Sequence, residues 1–531
     1  MSETPKKQTF LHGAALLALA TAIVKVIGAL YKIPLKMVIG NQGYSYFCTA
    51  YDIYTVLLMI STAGLPVAMS RMISQASSLG HYRQVRKVYT TSRAIFLGLG
   101  LVSSLLMIVF CRELANFQKQ PDAWFAILCL GPCAFLMGIL SAYRGFFQGQ
   151  GNMLPTSVSQ VMEAVCKLLV GLAAALLLAH YTKSVALAAG GAIIGVTMSC
   201  VLSSGYLMRC FRVSYRQLPQ TGEEVSSFGV TAKQLLSIAV PITIGAAGLQ
   251  ILTVLETNLY MGQLLTACGL SQDSAENMKG VYNMAQTIYN MPIAFFAPIT
   301  ISIIPAITSH LTLLNNRGVR DTEESAARIT GLMSLPCAVG LILLSYPIMA
   351  LLGDVEGADL TLAANLLTLL GVSVFLHALV QLTNAIMQAH GHAQIPVVNM
   401  LLSGVAKLVV VYILSGNPAI GILGVPAGTA LCNLCICALN LIAMRRCIPQ
   451  KPAIVKNFLR SLLPALIMGV CAFGSWWALL LVVRSRLILC AVPVLVGVVV
   501  FCLCAVAMRS ITRADCMLLP KGEKIARLLH L

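Results

Sequence analysis

Long apolar stretches, separated by short polar loops, follow one another along nearly the whole chain. A helix needs about 20 residues to cross the hydrocarbon core of a bilayer, so the pattern predicts about fourteen membrane-spanning helices. Their predicted ranges are 13–35, 46–66, 92–111, 123–143, 157–179, 184–208, 235–260, 281–306, 328–352, 360–382, 396–414, 419–442, 461–483 and 487–508. We therefore expect an all-α polytopic membrane protein.

Basic residues in alternate loops predict the orientation, because cytoplasmic loops carry an excess of Lys and Arg. The loops between them are short or acidic, as in GLSQDSAENMKG (269–280) and GDVEGADL (353–360), and Arg484 and Arg486 form the one basic pair there. The basic clusters lie at 6–7, 71–93, 209–233, 317–328, 445–460 and 509–527. This alternation predicts a multi-pass protein of the plasma membrane with both termini in the cytoplasm.

Composition excludes several classes of function. Of the 531 residues, 58% are hydrophobic and 10% are charged, whereas soluble domains carry roughly 25% charged residues. The net charge of +18 is divided among loops, so we expect no nucleic-acid partner. Cys432, Cys435 and Cys437 have a metal-like spacing, but they lie in a predicted span without a partnering Cys or His pair, so we expect no metal site. The sequence contains no nucleophile elbow, Walker loop or His/Glu metal motif, and we expect neither a cofactor nor enzymatic activity.

A repeat relates the two halves of the chain at an offset of about 240 residues. YRGFFQGQGNMLPTSVSQVMEAVCKLL at 143–169 aligns with TNAIMQAHGHAQIPVVNMLLSGVAKLV at 383–409. Six spans separate the copies, so both copies have the same orientation. This predicts two six-helix lobes in parallel repeat, at 1–220 and 221–450, followed by two additional helices and a cytoplasmic tail at 451–531. Transporters with such repeats hold the substrate path between the lobes.

Ionisable residues within spans are the candidate functional residues, because each costs roughly 2.5 to 3.5 kcal/mol at a helix centre unless it is paired or hydrated. Lys25 lies midway along the first span, where it either lines a hydrated cavity or snorkels along its helix. Lys32 is near enough to the outer interface to snorkel. Asp52 in the second span forms an ion pair with one of these lysines or contacts the substrate.

The other candidates lie in later spans. Glu163 and Lys167 are four residues apart in the fifth span, a spacing that suits an ion pair on one helix as well as a role in a cavity. Arg144 ends the fourth span. Lys407 matches Lys167 in the repeat, and Glu256, with Asn258 beside it, either pairs with Lys407 or binds a coupling cation.

The signs of these charges indicate the class of substrate. Basic candidates outnumber acidic ones, so the interior is modestly cationic and favours an anionic head group such as a phosphate or pyrophosphate. An exporter of cationic drugs would be expected to show the reverse.

A series of short motifs carries a resemblance to a known family. They are LYKIPL, GLPVAMSRMIS, YRGFFQGQGNMLPTSVSQVMEA, AVPITIGA, VYNMAQTIYNMP and ISIIPAITS. In their order and spacing they resemble the polysaccharide-biosynthesis branch of the multidrug/oligosaccharidyl-lipid/polysaccharide (MOP) exporter superfamily, with stage V sporulation protein B and MurJ-like lipid II flippases. The resemblance covers essentially the whole chain.

The resemblance implies a flippase that moves undecaprenyl-pyrophosphate-linked saccharides from the inner to the outer leaflet by alternating access. Basic residues on the first, second and eighth helices line the cavity of MurJ-like relatives, and Lys25 falls at one such position. The second span here has no arginine in its core, and the eighth has Gln286 and Thr287 instead. Glu256 falls near the acid of the family's cation site, which would use H⁺ or Na⁺, and Lys407 falls in the space for the cation. The helices at 461–508 are expected to offer the lipid tail a groove.

Two other functions are compatible with the sequence. The first is a cation-coupled multidrug or metabolite antiporter that depends on Asp52 or Glu256. The second is a non-transporting scaffold for envelope assembly. The sequence leaves open whether the cargo is a peptidoglycan precursor or a polysaccharide unit, whether the role is in the cell wall or the spore cortex, and what the oligomeric state is.

Overall fold

The computed structural model describes residues 10–353, 355–449, 451–508 and 510, and these form helices and connecting turns. The basic clusters predicted at 6–7 and 509–527 lie outside the described residues. The helices are α1 (Phe10–Thr62), α2 (Leu65–Ser78), α3 (Tyr82–Val109), α4 (Cys111–Phe117), α5 (Trp124–Gly149), α6 (Leu154–Thr182), α7 (Val185–Arg216), α8 (Phe228–Thr266), α9 (Gln272–Thr312), α10 (Asn316–Leu343), α11 (Ser345–Leu352), α12 (Gly357–Ala389), α13 (Gln394–Ser415), α14 (Gly424–Cys447), α15 (Ile454–Phe458), α16 (Leu462–Leu480) and α17 (Arg486–Ala507).

Each predicted span coincides for most of its length with helix, and the span predicted at 328–352 covers the end of α10 and all of α11. The first two predicted spans are the two arms of α1, which kinks at Gly40, where φ is 67°. In the described part of the chain, twelve helical segments are long and apolar enough to cross a membrane, and the first of them, Ile23–Ser78, runs through the kink of α1 to the end of α2. The prediction of an all-α, multi-pass membrane protein is confirmed.

One predicted loop is wrong. The acidic stretch 269–280 was expected to connect two spans, but α9 begins at Gln272 and includes most of it. Asp273 lies in the first turn of α9, where a negative charge is favourable beside the unpaired N–H groups. The polar residues of this stretch therefore belong to a helix.

The chain divides into two compact units. The N-terminal unit comprises Met1–Leu265 and Leu270–Gly280, and the C-terminal unit comprises Thr266–Gly269 and Val281–Leu531. The predicted lobe boundaries at 220 and 450 stay a prediction. In the N-terminal unit, α6 and α7 approach so closely that a Cβ on Gly195 would lie 2.2 Å from the Cα of Gly171. Small residues are what permit such contact between membrane helices.

The two copies of the predicted repeat end their helices in the same way. Gly151 follows α5 with φ of 75°, and Gly391 follows α12 with φ of 82°. In each copy, the backbone N–H of the residue after the glycine donates a hydrogen bond to a carbonyl in the last turn of the helix. These bonds run from Asn152 N to Phe147 O at 3.0 Å and from His392 N to Met387 O at 2.9 Å. This is the left-handed glycine cap of a helix C-terminus, repeated at the predicted offset.

Candidate functional site

The N-terminal unit buries a lysine that the sequence analysis left out of the site. Lys279, in the second turn of α9, has no exposed surface. Its Nζ donates hydrogen bonds to Thr49 Oγ1 at 2.5 Å and to Gln120 Oε1 at 3.0 Å. Gln120 is also fully buried, and its Nε2 donates to Ser45 Oγ at 2.5 Å. Neutral oxygens thus accept hydrogen bonds from the buried ammonium, and the carboxylates of Asp52 and Glu276 lie within electrostatic range of it, as a buried charge requires.

A buried carboxylate lies one turn before Lys279. Glu276 is 1% exposed and accepts hydrogen bonds from Tyr46 Oη at 2.5 Å and from Gln42 Nε2 at 2.8 Å. Gln272 Nε2 donates to its other oxygen at 2.7 Å. Both Tyr46 and Gln42 come from the second arm of α1, so these bonds fix the start of α9 against that arm.

Two glycines allow this close approach. Gly40 supplies the positive φ that kinks α1, a conformation that side chains with a Cβ rarely adopt. Gly280 of α9 packs against Asn41, the residue that follows Gly40 in α1. A Cβ on Gly280 would lie 1.8 Å from Asn41 O. Asn41 Nδ2 then donates to Asn277 Oδ1 at 2.9 Å. Backbone geometry, as well as charge, therefore brings α9 to α1.

Asp52 connects this cluster to the predicted charges of the first span. It lies within electrostatic range of Lys279, Lys32 and Glu256. Lys167 in turn interacts electrostatically with Lys32 and with Glu163. We call this set the charge series; its members are Glu276, Lys279, Asp52, Lys32, Lys167, Glu163, Arg144 and Glu256.

Lys167 is held by two aromatic rings. Its Nζ lies 5.4 Å from the ring centroid of Tyr31 and 5.0 Å from that of Tyr51. Tyr31 is fully buried and its hydroxyl donates to Ala192 O at 3.3 Å. Tyrosine faces attract an ammonium within about 6 Å, so the rings position the cation between α1 and α6.

Glu163 forms its ion pair with Arg144 and not with Lys167. Arg144 Nη2 lies 2.9 Å from Glu163 Oε2, and Arg144 Nε donates to Ser159 Oγ at 3.1 Å. The ion pair considered for Glu163 and Lys167 is therefore replaced by one between α5 and α6. Glu163 still acts on Lys167 electrostatically, but its direct ion pair is with Arg144.

In the second copy of the repeat, amide side chains occupy the place that corresponds to Arg144 and Ser159. Asn440 Nδ2 donates to Asn384 Oδ1 at 2.8 Å, and Asn399 Nδ2 donates to Asn440 Oδ1 at 2.9 Å. Asn384 and Asn399 match Arg144 and Ser159 in the repeat. The charges at this position thus belong to the first copy.

The structure places the other predicted residues as follows. Lys25 is exposed on α1, and Lys407 lies on α13 in the C-terminal unit, beside Gly428 of α14. Glu256 is 6% exposed on α8, and Asn258 donates to the carbonyl of Phe117. Among the described residues, no three His, Cys, Asp or Glu side chains are grouped so that they could hold a metal ion.

A signal for Lys279 was present in the sequence. Gln272, Glu276, Lys279 and Asn283 follow at intervals of three or four residues, which places them along one face of a helix. That polar row continues the predicted eighth span by two turns in the N-terminal direction. Lys36, 3% exposed on α1, is a second buried lysine that the sequence analysis did not single out.

An apolar groove lies in the C-terminal unit. It has a volume of about 530 Å³ and runs along α9, α10, α11, α16 and α17. Its lining includes Ile288, Phe295, Leu344, Met468, Val494 and Phe501. The groove joins the last two helices of the described chain to the helices that precede them.

Comparisons with known proteins agree with this architecture. The chain is 25% identical to lipid II flippase MurJ of Bacillus subtilis (strain 168) over 415 residues, which are 75% of this chain and 76% of the relative. It is 24% identical to stage V sporulation protein B of the same organism over 429 residues, 79% of this chain and 80% of the relative. A solved structure of lipid II flippase MurJ in an inward closed conformation matches with a TM-score of 0.69 at 14% identity, covering 93% of this chain and 99% of that one. The last likeness shows that the fold is shared.

The family model described as polysaccharide biosynthesis protein matches residues 10–310. This range contains both arms of α1, every member of the charge series and the start of α9. It is more than half of the chain, and the chain therefore belongs to the polysaccharide biosynthesis protein family.

Proposed function

We propose that this protein is a flippase that moves an anionic lipid-linked saccharide of the undecaprenyl-pyrophosphate type from the inner to the outer leaflet. One observation carries the proposal. In the charge series, Lys32 and Lys167 are neighbouring cations, and the acid nearest to Lys167 on its own helix is engaged by Arg144. Two like charges in a poorly solvated place repel each other, and a pyrophosphate would relieve that repulsion.

The surroundings of these lysines suit a transient anion. Lys167 is positioned by rings and not by a carboxylate, so an arriving anion does not have to displace an acidic partner from its ammonium. Lys32 is half-buried and keeps part of its surface accessible. Lysine is a common phosphate ligand and acts as a point charge. Lys32 and Lys167 thus attract an anion without imposing a fixed binding geometry. This suits a cargo that must also be released.

The apolar groove of the C-terminal unit supports a lipid-linked cargo. Its lining is formed by side chains such as Phe295, Met468 and Val494, which offer no hydrogen bonds to a saccharide. An apolar lining of this kind is compatible with a polyprenyl chain, which presents only hydrocarbon to it. We infer that the groove takes the lipid tail.

Alternating access supplies the mechanism in this proposal. Asp52 and Glu256 are electrostatic neighbours, so binding of H⁺ or Na⁺ between them would lower their mutual repulsion. That cation is the proposed coupling ion. The orientation follows from the loop charges and has both termini in the cytoplasm. The cargo is either a peptidoglycan precursor or a polysaccharide unit, for the cell wall or the spore cortex.

Reconstitution into liposomes with a fluorescent undecaprenyl-pyrophosphate saccharide tests the proposal. Lys32→Gln and Lys167→Gln should each slow flipping at least about tenfold, the effect of roughly 1.4 kcal/mol on a barrier. Lys233→Gln is the matched control, because Lys233 is exposed on α8 of the same unit and lies outside the charge series. Wild-type flipping by a folded Lys32→Gln/Lys167→Gln protein would contradict the assignment.

Lys25 is tested separately. Lys25 is exposed on α1, and the family resemblance implies a place in the cavity. A Lys25→Ala protein that flips as slowly as the Lys167→Gln protein would add Lys25 to the cargo site. Undiminished flipping would remove it.

The pair of Asp52 and Glu256 also favours a second candidate, a cation-coupled antiporter of soluble metabolites or drugs. This function predicts that Asp52→Asn abolishes the uptake of a soluble cation driven by an ion gradient. It also predicts that Lys167→Gln leaves that uptake unchanged. Lipid flipping that requires Lys167 would exclude it, and would equally exclude a non-transporting scaffold.

A further inference from the structure

A basic pocket of about 380 Å³ lies in the C-terminal unit, where the chain leaves α14 and enters α15. The cargo site proposed above does not include it. Arg445 of α14, Lys451 of the connection and Lys456 of α15 supply its charge. Leu441, Met444 and Ile454 supply apolar lining beside them.

The pocket is placed at the depth of lipid head groups. Its first wall is the end of the candidate span Gly421–Cys447, and its second wall is the start of the candidate span Ile454–Leu480. A position that ends one span and begins the next lies at the boundary of the hydrocarbon core, where the phosphates of the bilayer are.

The three cations of the pocket are available for a ligand. Arg445, Lys451 and Lys456 are all exposed, and within residues 10–353, 355–449 and 451–508 no ion pair involves them. The carboxylate of Glu324 is close by and accepts a hydrogen bond from Ala453 N at 3.1 Å. It is already engaged by Arg320 at 2.9 Å, so the positive charge of the pocket remains uncompensated.

The backbone holds one of these cations in an unusual conformation. Lys451 has φ of 45°, in the left-handed region that residues with a Cβ seldom occupy. Strained residues of this kind cluster at ligand sites, where the surrounding structure holds them. Lys451 lines the same pocket as Arg445 and Lys456.

We propose that this pocket binds the phosphate head group of an anionic phospholipid of the surrounding bilayer. Basic pockets between membrane helices suit such head groups. The apolar lining favours a lipid over a free phosphate, because only a lipid has acyl methylene groups to place against Leu441, Met444 and Ile454. A bound lipid would connect the end of α14 to the segment that begins the last two helices.

Binding to the full-length protein in detergent micelles tests this proposal by native mass spectrometry and by the melting temperature. Phosphatidylglycerol, phosphatidylcholine and soluble glycerol phosphate are the three probes. We expect phosphatidylglycerol alone to bind and to raise the melting temperature. Stabilisation by glycerol phosphate equal to that by phosphatidylglycerol would show a free-phosphate site and overturn the proposal, and so would equal binding of phosphatidylcholine.

The variant Arg445→Gln/Lys451→Gln/Lys456→Gln should weaken phosphatidylglycerol binding at least tenfold. Its matched control is Arg209→Gln/Arg212→Gln/Arg216→Gln, which removes the same charge from three exposed residues at the end of α7 and should retain binding. Equal loss in both variants, or no loss in the first, would overturn the proposal. Lys456→Gln alone serves as a milder variant, with an expected loss of about threefold. These experiments measure lipid binding and not flipping. Failure of this proposal can therefore be distinguished from failure of the proposed function.

Discussion

Glu163 accepts a hydrogen bond from Arg144 at 2.9 Å, although Lys167 lies one turn further along its own helix. The two partners are 19 residues apart and come from α6 and α5. Their side chains are 25% and 12% exposed, so the pair is largely withdrawn from solvent. The pairing leaves Lys167 to the rings of Tyr31 and Tyr51 and thereby creates the cationic part of the charge series.

Breaking this ion pair should destabilise the N-terminal unit. Arg144→Gln and Glu163→Gln should each cost about 1 to 3 kcal/mol, because the remaining charge loses its partner in a poorly solvated place. The double variant should cost less than the sum of the two. Melting temperatures of the four proteins in a double-mutant cycle measure the coupling.

An exposed ion pair provides the control for that cycle. Arg320 pairs with Glu324 at 2.9 Å on α10, and its side chain is 53% exposed. Removing Arg320 should therefore cost less than about 1 kcal/mol. Additive effects of the Arg144 and Glu163 replacements would show that the pair is not coupled.

The sequence predicted the helices well, because about 20 consecutive apolar residues have few alternatives to a membrane span. It also predicted the repeat, whose two glycines, Gly151 and Gly391, have the same positive φ. The sequence did not predict which side chains form ion pairs between helices. Spacing favoured Lys167 as the partner of Glu163, whereas packing between α5 and α6 selected Arg144.

The omission of Lys279 has a related cause. Its stretch is polar, and a polar stretch between two apolar ones predicts a loop. In the structure those polar groups bond to one another and to α1, so they form buried helical turns. Satisfaction of buried polar groups depends on tertiary contacts, which a single sequence does not display.

Lys279 should matter for stability through Asp52. Lys279→Met removes the ammonium bonded to Thr49 and Gln120 and leaves Asp52 without one of its two cationic neighbours. We expect a loss of about 1 to 3 kcal/mol. Adding Asp52→Asn should recover part of the loss. The melting temperature of the double variant tests this expectation. A value below that of Lys279→Met alone would contradict the proposed compensation.

The two repeat glycines should respond alike to substitution. Gly151→Ala and Gly391→Ala should each cost about 1 to 2 kcal/mol, the cost of the left-handed conformation for a residue with a Cβ. Neither Cβ would meet an atom within 4 Å, so no clash contributes. Gly205→Ala is the control: Gly205 lies in α7 with equally open surroundings, and alanine there should be neutral or stabilising. Thermal unfolding of the three variants checks the set.

The connection between α7 and α8 should be sensitive to acid. Glu223 accepts hydrogen bonds from Arg83 N at 2.6 Å and Gln84 N at 3.3 Å at the start of α3. Desolvation opposes ionisation, but the hydrogen bonds from Thr221 and these N–H groups prevail and lower the pKa of Glu223 to about 2. A lowered pKa stabilises the docked connection above the ordinary glutamate pKa of about 4.3, and this stabilisation is lost as pH falls towards 2.

Hydrogen exchange at the Arg83 and Gln84 amides, corrected for intrinsic rates, measures that effect. Protection should decrease between about pH 4.3 and pH 2 in the wild-type protein. Glu223→Gln should have low protection that does not change across this range. Equal protection in the two proteins at neutral pH would show that the carboxylate does not hold the connection.

The ring of Tyr51 should contribute to cargo affinity by positioning Lys167. Within the described residues the Tyr51 hydroxyl is buried without a hydrogen-bond partner, while its ring lies 5.0 Å from Lys167 Nζ. Tyr51→Phe keeps the ring and removes the unsatisfied hydroxyl, so flipping should be unchanged and stability equal or higher. Tyr51→Leu removes the cation–π contact of about 0.5 to 2 kcal/mol and should raise the KM for the lipid-linked cargo roughly 2- to 30-fold. If both variants raised KM equally, the hydroxyl and not the ring would be the group that matters.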